Sequence, residues 1–488
     1  MSASAAAAPA AGPSRTLPIN LFTHHSPDSI PSSTYLLPAS WRRFQLSELI
    51  NKVLRTDAEV EAKPVPFEFV IDGEVLRGSL EAWVKKYRQG DEERVVDVEY
   101  RRTLRVPQEV ARREVEDWVS GLSLARPGYI LLSSYLSHLQ LIPLASFTSP
   151  AQPLTLNLPS LLGATCCTYL SPSSVLSNVR VAAGGVDRLV HIFEIPSLDP
   201  SAPSTSAREV YSLHGHTGPI SSVISGREGK DVVSGAWDGA VNLYVLPEFE
   251  PTEHQLEANP STFLPGQKKR RKANPSGVSI VEGLNDGDVG EGGWRRGPDT
   301  VFRGHNGRVG ALVWDKRDKE KVWSAGWDGS VRGWDLEMGQ EGVVRQGPMD
   351  KSILCMDQWA STGTLATGAM DRTICLWDTR EATSLISLTI PTASPVPSLT
   401  CHPTSQFTLA AATYSGHIQI WDVRSPKHAI FSVSKAATPA AGAGGKKREV
   451  TKNGKVLGER LLALDWDGER VVAGGEDGEV GLWDARGE

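Results

Sequence analysis

Histidines and aspartates in a recurring setting are the residues here that could do chemistry. His216 precedes Asp238 by 22 residues, and His305 precedes Asp328 by 23. A His within hydrogen-bond reach of a carboxylate is the core of general acid–base catalysis. Yet each aspartate stands six positions before an aromatic residue, and that setting recurs along the chain. The pairs are Asp187 with Phe193, Asp238 with Tyr244, Asp328 with Trp334, Asp371 with Trp377, Ser415 with Trp421 and Asp477 with Trp483. Residues tied to a repeat belong to its structural unit, and buried polar groups normally satisfy one another. No GxxxxGK[ST], HExxH, GxSxG or GxGxxG occurs. The reading is therefore non-catalytic, with no cofactor and no metal of its own.

The other reactive residues point the same way. Cys166, Cys167, Cys355, Cys375 and Cys401 are odd in number and include no CxxC. Neither a disulfide framework nor a zinc site is supported, and all five are read as small buried residues. The formal net charge is -6 and the pI about 6.1, so RNA contact, if any, is local. No apolar run reaches the length of a membrane span. The N-terminal MSASAAAAPAAGPSRT lacks the apolar core of a secretory signal and is read as a disordered tail over 1–16.

The elements that position the aspartates are short antiparallel strands. Asp-Gly or Ser-Gly supplies positive φ at a tight hairpin turn, and residues of strand period follow, as in Val331 to Asp335. Asp328 to Asp371 is 43 residues and Asp371 to Ser415 is 44, the length of a four-stranded blade. Asp238 to Asp328 exceeds that by roughly 46 residues, and Ser415 to Asp477 by roughly 19. The surpluses fall on 251–299 and 436–455, which carry no core-forming pattern. A degenerate copy, SSYLSHLQLIPL (133–144), places Leu136 at the turn and Ile142 at the aromatic position. Seven repeats close a ring and remove most sheet edges.

A second pattern precedes the repeats. LPINLFTHH (17–25) reads as a strand, and 44–55 is a helix with Leu46, Leu49, Ile50, Val53 and Leu54 on one face. PFEFVI, Asp72-Gly73 and EVLRG form a hairpin, Ser79 N-caps SLEAWVKKY, and RVVDVEY (94–100) is the last strand. This ββαββαβ order is that of a ubiquitin-like domain. The predicted organisation is a tail over 1–16, a ubiquitin-like α+β domain over 17–103, and a linker over 104–120. An all-β seven-bladed propeller follows over 121–488, with a disordered basic insertion at 251–299 between the third and fourth blades.

LHGHTGPI (213–220), FRGHNGRVGAL (302–312) and the pairs Trp334-Asp335, Trp377-Asp378, Trp421-Asp422 and Trp483-Asp484 resemble WD repeats. That resemblance implies a buried tetrad of His, Ser or Thr, Asp and Trp in each blade. Carried over, it gives His305, Ser324, Asp328 and Trp334 in the fourth repeat. The third gives His216, Ser234 and Asp238, with Tyr244 for the Trp. The fifth keeps Thr367, Asp371 and Trp377 without a Gly-His, and the sixth has Ser415 in place of the Asp.

Together with PVPFEFVIDGEVLRGSLEAWV, DVEY and DWVSGLS (117–123), the chain resembles the WD-repeat subunit family of the pescadillo–block-of-proliferation complex. That family matures the large (60S) ribosomal subunit. The resemblance implies a scaffold that holds the block-of-proliferation WD-repeat protein through its propeller. It also implies association with the pescadillo protein and pre-60S particles, and presentation of the ubiquitin-like domain to the AAA ATPase midasin, which releases it. The midasin metal site grips an acidic residue, which aligns with Glu93, with Glu92 one register away. The basic run Lys268, Lys269, Arg270, Arg271 and Lys272 reads as a nuclear localisation signal or nucleic-acid patch, consistent with the nucleolus and nucleoplasm. Two other readings stay open: a Notchless-type assembly factor, whose propeller usually has eight blades, and a substrate adaptor of a ubiquitin ligase.

Overall fold

A computed structural model describes residues 16–23, 30–31, 33–54, 67–71, 74–76, 78–87, 95–102, 106–147, 153–160, 162–170, 177–198, 207–226, 229–246, 278–279, 294–347, 351–379, 386–434 and 460–485. They fall into two compact units, divided between Val106 and Pro107.

The first unit follows the order β1 (Thr16–Phe22), β2 (Thr34–Pro38), α1 (Arg43–Leu54), β3 (Phe67–Ile71), β4 (Glu74–Val75), α2 (Leu80–Tyr87) and β5 (Val96–Arg102). The sheet order is β2-β1-β5-β3-β4, with β1 and β5 parallel at its centre. This is the predicted ubiquitin-like α+β fold. Leu46 and Ile50 on α1, and Leu80, Trp83 and Val84 on α2, join Ile19, Phe67, Phe69 and Tyr100 in one core. Ser79 Oγ accepts the Ala82 N–H at 3.3 Å and so caps α2. The helical face expected over α1 is narrower than predicted. Leu49 and Leu54 are only partly buried and Val53 is 37% exposed, so the buried side of α1 centres on Leu46 and Ile50.

The second unit holds seven four-stranded antiparallel blades, one of which is extended. Their innermost strands are Val119–Ser123, Ala164–Tyr169, Ile220–Ser225, Val309–Trp314, Ile353–Gln358, Ser398–Cys401 and Leu461–Trp466. Each touches the next, and the last touches the first, so the ring closes. The predicted seven-bladed propeller is the fold observed. Between the second and third strands of each blade the chain turns in three or four residues, one of which has positive φ. Those residues are Ser137, Arg188, Gly239, Gly329, Arg372, Gly416 and Gly478. Only one residue per turn needs that conformation, so Arg and Ser are tolerated there. Gly239 is required for a second reason: a Cβ there would lie 2.8 Å from the His305 carbonyl oxygen.

Two expectations about organisation are corrected. The presumed linker 104–120 contains β6 (Gln108–Glu114), which pairs antiparallel with Glu479–Asp484 as the outer strand of the seventh blade. Its alternation is masked by charge, since Arg112 sits between Glu109 and Glu479 in a salt bridge network. The insertion 251–299 is also not wholly irregular, nor does it lie between blades. It leaves the third blade after Ala240–Val245, and that blade is completed only by Thr300–Arg303. Trp294–Arg296 and Val278–Ser279 extend the sheet of the second blade, with Trp294–Arg296 parallel to Arg208–Leu213. Trp294 packs against the core beneath, and Arg296 is 7% exposed and bonded to Asp299. A short segment that borrows a neighbouring sheet has too few residues to show a period. Residues 436–455 lie outside the described residues.

Candidate functional site

The fourth blade brings His305, Ser324, Asp328 and Trp334 together. His305 Nδ1 lies 3.1 Å from Asp328 Oδ1, and His305 Nε2 lies 2.7 Å from Ser324 Oγ. Trp334 Nε1–H donates to the same Ser324 Oγ at 2.8 Å. With a neutral imidazole, the donors run in one direction: indole to hydroxyl, hydroxyl to Nε2, and Nδ1–H to carboxylate. Asp328 also accepts from the Asn306 N–H and the Ser330 hydroxyl. Burial pushes the Asp328 carboxyl up, but the hydrogen bonds from His305 and Ser330 outweigh it and hold it below the usual carboxylate range.

Ser, His and Asp in this order resemble a hydrolytic triad on paper. Ser324, however, is fully buried and its oxygen is already shared by an imidazole and an indole. A nucleophile must reach a substrate, and this one faces only its own blade. The network ties the loop before the inner strand to the second and third strands, so its product is rigidity.

The third blade repeats the geometry with a gap. His216 contacts Asp238 at 3.2 Å and Ser234 Oγ at 2.8 Å. Tyr244 turns its hydroxyl to the His214 carbonyl oxygen, and Asn242 Nδ2 donates to it. Burial lowers the His216 pKa despite Asp238. In the fifth blade, Trp377 Nε1–H donates to Thr367 Oγ1 at 2.9 Å, but Asp371 is not joined to them. Asp371 instead pairs with Lys351 Nζ at 2.6 Å and with Thr373 Oγ1. Lys351 thus takes the place of the missing histidine.

Sequence reasoning missed the second blade's version. His191 sits on the third strand, not before the inner one, between Asp187 Oδ2 at 2.9 Å and Glu209 Oε1 at 2.7 Å. Burial disfavours the imidazolium, but both carboxylates bond it and raise its pKa to about 9. The only signal was the position itself: His191 lies four residues after the turn Asp187. Cys355, Cys375 and Cys401 are buried as expected, whereas Cys166 and Cys167 are half-buried. Among the described residues, no group of His, Cys, Asp or Glu is placed to hold a metal ion. No described helix is long and apolar enough to cross a membrane. Glu93, with Asp91 and Glu92, and the run from Lys268 to Lys272 lie outside the described residues.

A closed WD-type propeller with buried polar networks, preceded by a ubiquitin-like unit, defines a WD-repeat protein built for contact with other macromolecules. Residues 17–84 match the NLE (NUC135) domain, and residues 207–244, 297–335 and 342–378 match the WD domain, G-beta repeat. Among similar proteins, "Ribosome biogenesis protein YTM1" of Coprinopsis cinerea is 30% identical, over 95% of this chain and 94% of that protein. The protein of the same name from Laccaria bicolor is 29% identical over 95% and 93%. "Ribosome biogenesis protein WDR12 homolog" of Arabidopsis thaliana is 28% identical over 96% of each. The chain belongs to the YTM1/WDR12 family of ribosome biogenesis proteins.

Proposed function

We propose that this ribosome-biogenesis factor is a non-catalytic scaffold subunit of the pescadillo–block-of-proliferation complex. It acts in the nucleolus and nucleoplasm on pre-60S particles. The propeller holds the block-of-proliferation protein, and the pescadillo protein joins within the complex. The ubiquitin-like unit offers Glu93 to the metal of midasin, where a carboxylate is the ligand a Mg²⁺ ion prefers. Midasin then strips the subunit from the particle. The run from Lys268 to Lys272 directs nuclear entry.

The observation that carries this reading is similarity to ribosome biogenesis proteins that runs through both units, over 95% of the chain. Seven blades rather than eight count against the Notchless-type alternative. A propeller face can supply the roughly 1,200–2,000 Å² that a stable interface buries. Affinity purification of the tagged full chain, with mass spectrometry and RNA analysis, tests the proposal. It should recover the pescadillo and block-of-proliferation proteins with large-subunit precursor RNA. Recovery of ubiquitin-ligase subunits without precursor RNA would overturn it.

A further inference from the structure

Seven equivalent backbone hydrogen bonds mark one face of the propeller. In each blade, the first or second residue of the turn between the second and third strands donates to the residue preceding the inner strand, or close before it. The donors are Tyr135, Val186, Trp237, Trp327, Met370, Tyr414 and Glu476, and the matching acceptors include Trp118, Arg308 and Arg460. The repeat therefore fixes seven side chains on one rim, and this chain has filled that rim unevenly. Tyr135 is 43% exposed, Trp237 49% and Met370 46%. Trp118 stacks edge-on against Tyr135. Surface aromatics gathered in this way are the material of binding hot spots.

Arg308 is the centre of this gathering. Its guanidinium carbon lies 3.4 Å from the Trp327 ring centroid and 4.5 Å from that of Trp237. Among the described residues no carboxylate pairs with it, and Tyr414 and Tyr135, from the sixth and first blades, are near enough to influence its charge. Its Nε and the neighbouring Trp327 Nε1 are buried donors without an acceptor. Arg460, which precedes the seventh inner strand as Arg308 precedes the fourth, differs: it is paired with Glu476 at 3.5 Å. A guanidinium held between indoles is pre-oriented, and its planar fork suits a carboxylate. The two indoles fix it without neutralising it.

We propose that this rim is a docking site for a loop of a partner protein that presents one Asp or Glu side chain, flanked by apolar residues, to Arg308. Charge complementarity selects that occupant. The Arg308 guanidinium, with no carboxylate partner among the described residues, suits one carboxylate, and the aromatic walls suit its apolar neighbours. A nucleic acid fits less well, because a run of phosphates calls for several cations along one groove, whereas Arg308 is a single cation set among aromatic side chains. The site does not depend on which complex the protein joins.

The test uses the full chain against a displayed library of random 12-residue peptides, with a uridine 12-mer as the nucleic-acid arm. Selected peptides should share one Asp or Glu beside apolar residues. Glu→Gln or Asp→Asn in the best peptide, and Arg308→Gln in the protein, should each weaken binding at least tenfold. The double change should add little to either, because both remove one contact. Trp237→Ala, at an exposed position, should weaken binding without altering the thermal melt and so controls for misfolding. Arg308→Lys should recover only part of the affinity, having charge but no fork. Failure to select any peptide, selection without a shared acid, or indifference of the peptides to Arg308→Gln would overturn the proposal. Uridine binding that depends on Arg308 while peptide binding does not would assign the rim to nucleic acid.

Discussion

Asp465 of the seventh blade accepts the backbone N–H of Leu124 in the first blade, at 2.6 Å, and so joins the two ends of the ring. The same device recurs between the fifth and sixth blades, where Asp357 accepts the Cys401 N–H at 2.7 Å. Burial pushes the Asp465 carboxyl up to about 6, although the Leu124 and Trp466 N–H groups favour its charged form.

An unfolded aspartate titrates near roughly 4. The folded state therefore holds its proton longer, and this group's contribution to stability falls as pH rises from about 4 to about 6. Asp465→Asn keeps an acceptor for Leu124 but cannot ionise. Its urea midpoint should fall less between pH 4 and 6 than the parent's. Asp465→Ala should lose about 1–3 kcal/mol by orphaning the Leu124 N–H. Identical pH profiles for parent and Asp465→Asn would refute the coupling.

His191 has the opposite dependence on chemistry but the same sign. Its folded pKa is raised to about 9 by Asp187 and Glu209, against the pull of burial. The stabilisation is complete below about 6.5, the ordinary histidine value. It is lost as pH rises through about 9. Denaturant melts at pH 6.5 and 9.5 should show this loss in the parent and a flatter response in His191→Gln. A variant that tracks the parent across that window would show that the imidazolium contributes nothing.

In the fourth blade, Trp334→Ala should cost about 3–5 kcal/mol, as other large buried aromatics do. Asp328→Ala should cost about 1–3 kcal/mol, because it strips partners from His305, Asn306 and Ser330. Combined with Ser324→Ala, the Asp328 change should be less than additive, since both act through His305. Thermal melts that overlay the parent would exclude a structural role for the network.

Glu93→Ala and Glu93→Gln should each abolish Mg²⁺-dependent binding to purified midasin, while changing stability by less than about 0.5 kcal/mol. Both variants should still enter precursor particles through the propeller and then persist there, so the defect is dominant. Asp91 and Glu92 substitutions should be milder. Undiminished midasin binding by Glu93→Ala would move the assignment to Glu92.

The ring was legible because each blade repeats the same local solution. A turn residue, a strand of period two and an aromatic at a fixed offset are all short-range signals, and they survive even at Ser137 and Arg188, where glycine is absent. The N-terminal unit was legible for the same reason, with Ser79 marking the start of α2. What stayed hidden depends on partners distant in sequence. Nothing local marks Gln108–Glu114 as a strand whose partner is more than three hundred residues away. Trp294–Arg296 is defined by the sheet it joins. Lys351 opposite Asp371, and Glu209 opposite His191, are pairings of charge across strands that no spacing announces. Arg308 belongs with them: it follows an ordinary repeat motif, and only closure of the ring brings Tyr135 and Tyr414 towards it.

Because the outer strand of the seventh blade comes from the start of the propeller's own sequence, the protein is zipped shut by the segment nearest its N-terminal unit. Along the backbone, Gln108–Glu114 is the first strand of the propeller after that unit. Gln108 is paired with Asp484, and Glu114 with Glu479. Tension entering at Gln108 therefore acts first on one end of the closing strand. In the order of the chain, the strand next to the N-terminal unit is the pull-tab of the ring, and its bonds are those that keep the seventh blade complete.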